Sequence, residues 1–228
     1  MKTKYFIPVI IVLFAGRLKA QNRLQQIAIG AGAGFATAYA GAQQPETKWA
    51  WFGDAGYYVT PYFNIDIQGQ AGTLGGTSIT IKNPKSFSSS YRAATAEARV
   101  QLGQFFDPHD NRFLIFAKNI YVGAGYGFIR SDINNVALRN QQTIDHVKSN
   151  IPMVPVKLGY EFNLVNNYGE PLIKADFSYS FNYTIGKGLD GYYDNTSKSF
   201  NFYNYYAFGL KYLITIGGPH KHSYDKFD

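Results

Sequence analysis

The chain has 228 residues, a formal net charge of +7 and no cysteine. The lack of cysteine excludes a disulfide-stapled fold and a lipoprotein anchored through an N-terminal cysteine. The length suggests one domain or at most two, and 19 Tyr, 18 Phe and 23 Gly favour strands joined by tight turns.

Residues 1–20 have the pattern of a secretory signal peptide. Lys2 and Lys4 precede an apolar run over 5–16, and the small residue Ala20 marks the cleavage site. The run is too short for a membrane-spanning helix, which needs about 20 residues. Removing this segment takes away four basic residues and no acidic one, so the charge falls to +3. We therefore expect an exported chain that begins at Gln21 and does not bind nucleic acid.

Eight segments of the remaining chain carry apolar residues at every second position, the pattern of a strand with one apolar face. The first four segments place them at Ile27, Ile29 and Phe35; at Trp49, Trp51, Ala55, Tyr57 and Val59; at Phe63, Ile65 and Ile67; and at Ala94, Ala96, Ala98, Val100 and Leu102. The last four place them at Ile120, Val122, Ala124, Tyr126 and Phe128; at Val154, Val156, Leu158, Tyr160, Phe162 and Leu164; at Ile173, Ala175, Phe177, Tyr179, Phe181, Tyr183 and Ile185; and at Phe202, Tyr206, Phe208, Leu210, Tyr212, Ile214 and Ile216. The intervening positions are mostly small or polar, so each predicted strand has one apolar and one more polar face.

These eight strands predict an all-β fold, an eight-stranded antiparallel up-and-down transmembrane β-barrel over residues 21–217. After residue 20 no apolar run is long enough for a spanning helix, so only a closed barrel would cross a membrane. An even strand number places both ends of the barrel in the periplasm, with a periplasmic tail at 218–228. Long polar stretches at 75–91, 132–149 and 186–199 are expected to be external loops.

A soluble β-sandwich or a lipocalin-like barrel is the structural alternative, with apolar residues inward and charges outward. Three features argue against it. The charge-bearing faces hold too few charges for a soluble exterior, aromatic residues gather near strand ends as in interfacial girdles, and the chain carries an export signal.

The connector at 104–118 departs from the short turns expected on the periplasmic side. Its apolar residues flank the polar segment 107–111, which predicts a hairpin that projects beyond the bilayer. Exposed apolar surface usually marks a contact, so we expect a periplasmic partner contact at Phe105, Phe106, Phe113 and Phe116. The alternative is a hairpin that packs its own aromatic side chains under the barrel mouth.

The polar faces of the strands carry charges of both signs, which we expect to pair inside the barrel because an unpaired buried charge is costly. Counting from the periplasmic ends of the strands predicts three pairs, Glu161 with Lys174, Asp176 with Lys211, and Asp66 with Arg99. Such a network would also plug the lumen, and eight strands enclose little more than their own side chains.

Other candidate chemistry is weaker. An acyl hydrolase acting on lipid A would need a His and a Ser at the outer rim, and His146, with Asp145 and Ser149 near it, is the nearest match. His220 and His222 lack a third ligand for a metal site, and Asp190 and Asp194 are expected in turns. The alternating glycines at 30, 32 and 34 precede no helix, so they do not form a nucleotide-binding loop and are expected to relieve crowding inside the barrel. We therefore expect no catalytic, metal or cofactor site.

The chain resembles the small OmpA/OmpX-like outer-membrane barrels of the Bacteroidota type. The resemblance lies in the segment Lys19-Ala20-Gln21, the strand at 121–127 and Gly-Tyr pairs such as Gly159-Tyr160, and it covers residues 25–217. It implies a non-enzymatic barrel in the bacterial outer membrane that serves a structural or interaction role. Expected partners are outer-membrane lipid and lipopolysaccharide, and another outer-membrane protein if the barrel is a subunit of a larger complex. An acyl hydrolase or acyltransferase barrel, or a narrow pore, is the alternative.

Overall fold

A computed structural model describes residues 25–39, 44–78, 85–106, 111–137, 143–165, 171–186 and 201–216. The expected signal peptide and tail, and the candidate residues Asp190, Asp194, His220 and His222, lie outside the described residues. No helix among the described residues is long and apolar enough to cross a membrane.

Eight strands form one closed sheet in which each strand pairs with its neighbours in the chain and the last pairs with the first. They are β1 (Gln25–Tyr39), β2 (Gln44–Thr60), β3 (Phe63–Ser78), β4 (Lys85–Gln101), β5 (Ile120–Ala137), β6 (Thr143–Val165), β7 (Pro171–Thr184) and β8 (Phe202–Ile216). All eight pairings are antiparallel. The predicted eight-stranded antiparallel up-and-down β-barrel is confirmed.

The two faces of the strands lie as the alternation predicts. Apolar side chains such as Ile67, Leu158 and Phe208 are exposed on the outside, whereas the polar positions between them point into the barrel and are buried. An exterior of exposed apolar residues around a polar interior is the arrangement of a membrane-spanning barrel. In the following text, the near end is the end that holds the paired residues Gln25 and Ile216, and the far end is the opposite one.

At the far end, β4, β5 and β6 reverse this pattern. Apolar residues there point inward and are buried, among them Phe87, Tyr91, Ile129, Ile133, Ile151 and Met153. Polar residues point outward, among them Ser88, Ser90, Arg92, Arg130, Lys148 and Asn150. The expected loops at 75–91 and 132–149 therefore contain paired strands along much of their length. These strand ends look polar in the sequence because their polar residues face outward over an apolar core.

The connector between β4 and β5 forms two short helices, so the predicted hairpin at 104–118 is wrong. A 3-10 helix spans Leu102–Gln104 and an α-helix, α1, spans Arg112–Ala117. The side chain of Asn111 accepts a hydrogen bond from the backbone N–H of Phe113 and caps α1. The consecutive apolar residues 113–116 have no period of two, so they fit a helical turn better than a strand.

Candidate functional site

The near half of the lumen holds buried charges of both signs, five carboxylates and four cations. These are Asp54, Asp66, Glu97, Glu161 and Asp176 with Arg99, Lys157, Lys174 and Lys211. Each strand from β2 to β8 contributes at least one of these charges or a hydrogen-bonding partner to them. The interior is therefore one connected polar layer, which we call the lumen network.

Glu161 of β6 is one centre of the lumen network. Its carboxylate accepts hydrogen bonds from Nζ of Lys174 at 3.0 Å and from Nζ of Lys211 at 3.0 Å. Nε2 of Gln101 donates to it at 2.7 Å and the hydroxyl of Tyr58 at 3.1 Å. Four donors from four other strands thus converge on one carboxylate, which joins those strands through the middle of the barrel.

Arg99 of β4 is the second centre. Its Nη2 lies 2.8 Å from Oδ1 of Asp66 and 3.1 Å from Oε2 of Glu97. Lys157 donates to the same Glu97 oxygen at 2.9 Å and to Gln68 at 2.8 Å. The guanidinium is 1% exposed, so its charge depends on these carboxylates and not on water.

Lys211 of β8 connects the two centres. Besides Glu161, its Nζ lies 2.9 Å from Oδ2 of Asp176 and 3.4 Å from Oδ2 of Asp54. The hydroxyl of Tyr121 donates to Oδ1 of Asp176 at 2.8 Å. A single lysine thereby contacts carboxylates from three strands.

The structure brings together all three pairs expected from the sequence: Glu161 with Lys174, Asp176 with Lys211, and Asp66 with Arg99. It does not place them directly opposite one another. The strand register instead opposes like charges, Glu161 with Asp176, Lys174 with Lys211, and Asp66 with Glu97. The ion pairs form diagonally or across the lumen because long side chains from all strands meet near the barrel axis.

Sequence reasoning missed two tyrosines that complete the lumen network. Tyr58 lies under Lys174, whose Nζ is 4.0 Å from the ring centroid, and Tyr121 lies 5.6 Å from the guanidinium carbon of Arg99. Gly159 makes room for Tyr121, because a Cβ at Gly159 would meet its hydroxyl at 2.5 Å. For Tyr121 the sequence does carry a signal, a large aromatic residue on a face that continues with Gly123, Gly125 and Gly127.

The far half of the lumen is filled by apolar and aromatic side chains. The rings of Tyr91 and Tyr203 lie 5.6 Å apart, and those of Phe52 and Tyr205 lie 6.3 Å apart. The hydroxyl of Tyr203 donates to Gln70 at 3.1 Å and so connects this layer to the polar one. Side chains therefore fill the described part of the bore at two successive levels.

We expect no steady large conductance when the purified protein is inserted into planar bilayers. An ion would have to pass both the buried ion pairs and the apolar layer, and an eight-stranded barrel leaves little space beside its own side chains. Single-channel recording checks this, with heat-denatured protein as the control. Long-lived openings that survive repeated purification would contradict a filled lumen.

The connector at the near end exposes a group of large apolar side chains. Phe105 is 63% exposed and Phe113 is 71% exposed. Phe116 is also exposed, but its ring stacks on that of Tyr160 of β6 with 4.6 Å between centroids. Phe106 is half-buried. Of the four residues expected to contact a partner, Phe105 and Phe113 are thus the most accessible, and the neighbouring Ile115 adds to them.

Of the residues considered for acyl hydrolysis, the structure describes only the side chain of Ser149. Ser149 is buried and points into the barrel, whereas a serine that attacks an outer-membrane lipid would face the lipid. The side chains of Asp145 and His146 lie outside what the structure describes.

Comparison with known proteins finds likenesses to solved structures only. Neisserial surface protein A is 14% identical over 82% of this chain and 96% of that chain, with a TM-score of 0.47. Ail, the attachment invasion locus protein of Yersinia pestis, is 10% identical over 84% and 100%, with a TM-score of 0.49. The outer membrane protein OprG from Pseudomonas aeruginosa is 8% identical over 85% and 97%, with a TM-score of 0.45. No protein-family model and no curated protein matches the chain.

Proposed function

We propose that the chain is an integral, non-enzymatic protein of the bacterial outer membrane that acts as a structural and interaction barrel in a larger outer-membrane complex. The closed sheet and its apolar exterior support a membrane location, since a closed barrel leaves no unpaired edge in lipid. The expected export signal and the even strand number support a periplasmic location of the near end.

The filled interior favours a structural role for this barrel and argues against a pore. The lumen network and the apolar layer occupy the described bore, and the charges in it are engaged with one another. A binding surface therefore has to lie on the outside of the barrel or at its ends.

The observation that carries the interaction role is the apolar surface at the near end. Phe105, Phe113 and Ile115 are 63%, 71% and 46% exposed, and the α1 helix that carries two of them adds nothing to the closure of the barrel. Exposed apolar patches on proteins usually mark contacts. We assign this surface to a second protein of the outer membrane.

Exchanging Phe113 and Phe116 together for Asp should release this partner while the barrel stays folded. Two carboxylates would disfavour an apolar interface because each would lose its hydration on docking. The measurement is affinity purification from the outer-membrane fraction, with heat-modifiable gel migration as the test of folding. Gln44→Asp with Ser88→Asp is the matched control, because it adds the same charges at exposed positions of the far end.

Loss of one stoichiometric protein from the Phe113→Asp and Phe116→Asp variant, and not from the control, is the expected result. If the variant folds and every co-purifying protein stays bound in wild-type amounts, this surface does not dock a protein.

A further inference from the structure

Two arginines lie side by side on the outer wall of the barrel. Arg92 of β4 and Arg130 of β5 are Cα partners in the sheet, and both side chains are exposed. Neither forms an ion pair among the described residues. The exposed Lys148 of β6 lies one outward position further along, opposite Asp132 of β5. The surface is therefore cationic, and the arginine pair is its centre.

Opposed like charges weaken a pair of strands. The lumen compensates its own opposed charges with ion pairs, but neither arginine forms an ion pair among the described residues, and the outward carboxylate of Asp132, two residues from Arg130, lies opposite Lys148. An anion between the two guanidinium groups would remove the repulsion and accept hydrogen bonds from both. The pair is thus arranged for an anionic ligand supplied from outside the chain.

The position of the pair along the strands indicates what that ligand is. On the near side of Arg92 the outward residues of β4 are apolar, Ala94, Ala96 and Ala98, and on its far side they are Ser90 and Ser88. On β5 the outward apolar run ends at Phe128, just before Arg130. Both arginines thus lie where the lipid-facing surface ends and the pattern reverses. In a membrane this is the level of the lipid headgroups.

A shallow groove runs beside Arg92 on the same wall. It has a volume of about 270 Å³ and is lined by Trp51, Gly53, Gly69, Ala71 and Arg92, among others. Trp51 and Ala71 lie in the same cross-strand row as the arginine pair. Glycine and alanine leave a depression between large neighbours, which fits a saturated acyl chain next to a headgroup bound by the arginines.

We propose that this wall is a binding site for lipopolysaccharide, in which Arg92 and Arg130 bind a phosphate of lipid A and one of its acyl chains lies in the groove. The inference rests on the outer-membrane location proposed above, which places the far end in the outer leaflet. It assigns the ligand by chemistry, since a phosphate matches the paired guanidinium groups and an acyl chain matches the glycine-lined depression.

The test uses the full barrel in vesicles of phosphatidylcholine that contain purified lipid A, lipid A stripped of its phosphates, or phosphatidylglycerol. Native mass spectrometry reports how much lipid stays bound, and the unfolding temperature reports stabilisation. For the wild type we expect one retained lipid A and stabilisation by lipid A alone.

Three variants separate the parts of the site. Arg92→Gln with Arg130→Gln should lower lipid A retention roughly tenfold or more, because two charge-assisted interactions are lost. Gly53→Leu with Gly69→Leu should lower it while both arginines remain, since the space around each Cβ is open, with nearest atoms at 3.8 and 4.0 Å. Arg112→Gln with Lys118→Gln removes the same charge at the near end and should bind as the wild type does.

Equal retention by the Arg92→Gln and Arg130→Gln variant would overturn the site, and so would equal stabilisation by phosphatidylglycerol, which would indicate unspecific attraction. If the arginine variant does not fold, Arg92→Lys with Arg130→Lys keeps the charge but loses the planar fork, and its binding should be intermediate. Cell fractionation reports the location independently. Outer-membrane protein that retains no lipid A therefore rejects this site and leaves the proposed function standing.

Discussion

Replacing Arg99 with Met should destabilise the barrel more than any other single charge removal in the lumen. Met keeps much of the side-chain length but removes the cation that lies 2.8 Å from Asp66 and 3.1 Å from Glu97. Five buried carboxylates would then face three cations. Removing one partner of a buried ion pair typically costs about 3 to 5 kcal/mol, because the remaining charge has no water around it.

The measurement is the free energy of unfolding in urea from lipid vesicles, with Asp66→Asn as the compensating change. The double variant Arg99→Met with Asp66→Asn restores the wild-type charge difference and should recover part of the loss. A double variant as unstable as Arg99→Met alone would show that packing of the guanidinium, and not charge balance, determines the effect.

The loss of stability in Arg99→Met can be compared with that in Lys174→Met, which removes a different cation from the lumen network. Glu161 keeps Lys211, Gln101 and Tyr58 as donors when Lys174 is lost. Lys174→Met should therefore lower the unfolding temperature less than Arg99→Met does. Adding Glu161→Gln to Lys174→Met should reduce the loss, since it restores the wild-type difference between buried carboxylates and cations.

The strands and their faces were predictable because a barrel in lipid imposes a period of two along each strand. Phe177, Tyr179 and Phe181 alternate with Ser178 and Ser180 strictly enough to indicate a strand with one apolar face. From the sequence, the pairing of Asp66 with Arg99 can be predicted only because both residues lie at the same depth in the lumen. Which atoms meet depends on the register of all eight strands, and the register is a property of the closed sheet that no single segment encodes.

Two features escaped prediction for different physical reasons. At the far end, the adjacent apolar residues Phe128 and Ile129 face opposite sides of the barrel wall. Beyond them the outward residues are polar and the inward residues are apolar, and in the sequence this reversal resembles the end of a strand. In the near-end connector, apolar residues on both sides of the polar segment 107–111 have the pattern of a hairpin. The cap provided by Asn111 decides for a helix, and a cap is a local backbone geometry that composition does not reveal.

The glycines of β1 have a structural role that alternation alone does not show. Gly30, Gly32 and Gly34 all point into the barrel along the seam where β1 pairs with β8. A Cβ at Gly34 would collide with the carbonyl oxygen of Tyr206 and lie 2.8 Å from Cα of Ala207. A Cβ at Gly32 would lie 2.6 Å from Cα of its Cα partner, Gly209. These atoms belong to the backbone of β8, so they cannot move aside as a flexible side chain can.

Gly34→Val should therefore prevent closure of the barrel, so that the heat-modifiable folded form is lost or strongly reduced in refolding from urea. Valine favours strands, so a failure would come from the collision with β8 and not from strand propensity. Gly53→Val on β2 is the matched control, because the nearest atom to a Cβ there is the carbonyl oxygen of Gly30 at 3.8 Å, and it should fold as the wild type does. Overpacking in a protein interior typically costs about 1 to 3 kcal/mol, and a collision with backbone at the seam leaves fewer ways to relax. Normal folding of Gly34→Val beside a folded Gly53→Val would mean that β1 and β8 can separate locally without opening the barrel.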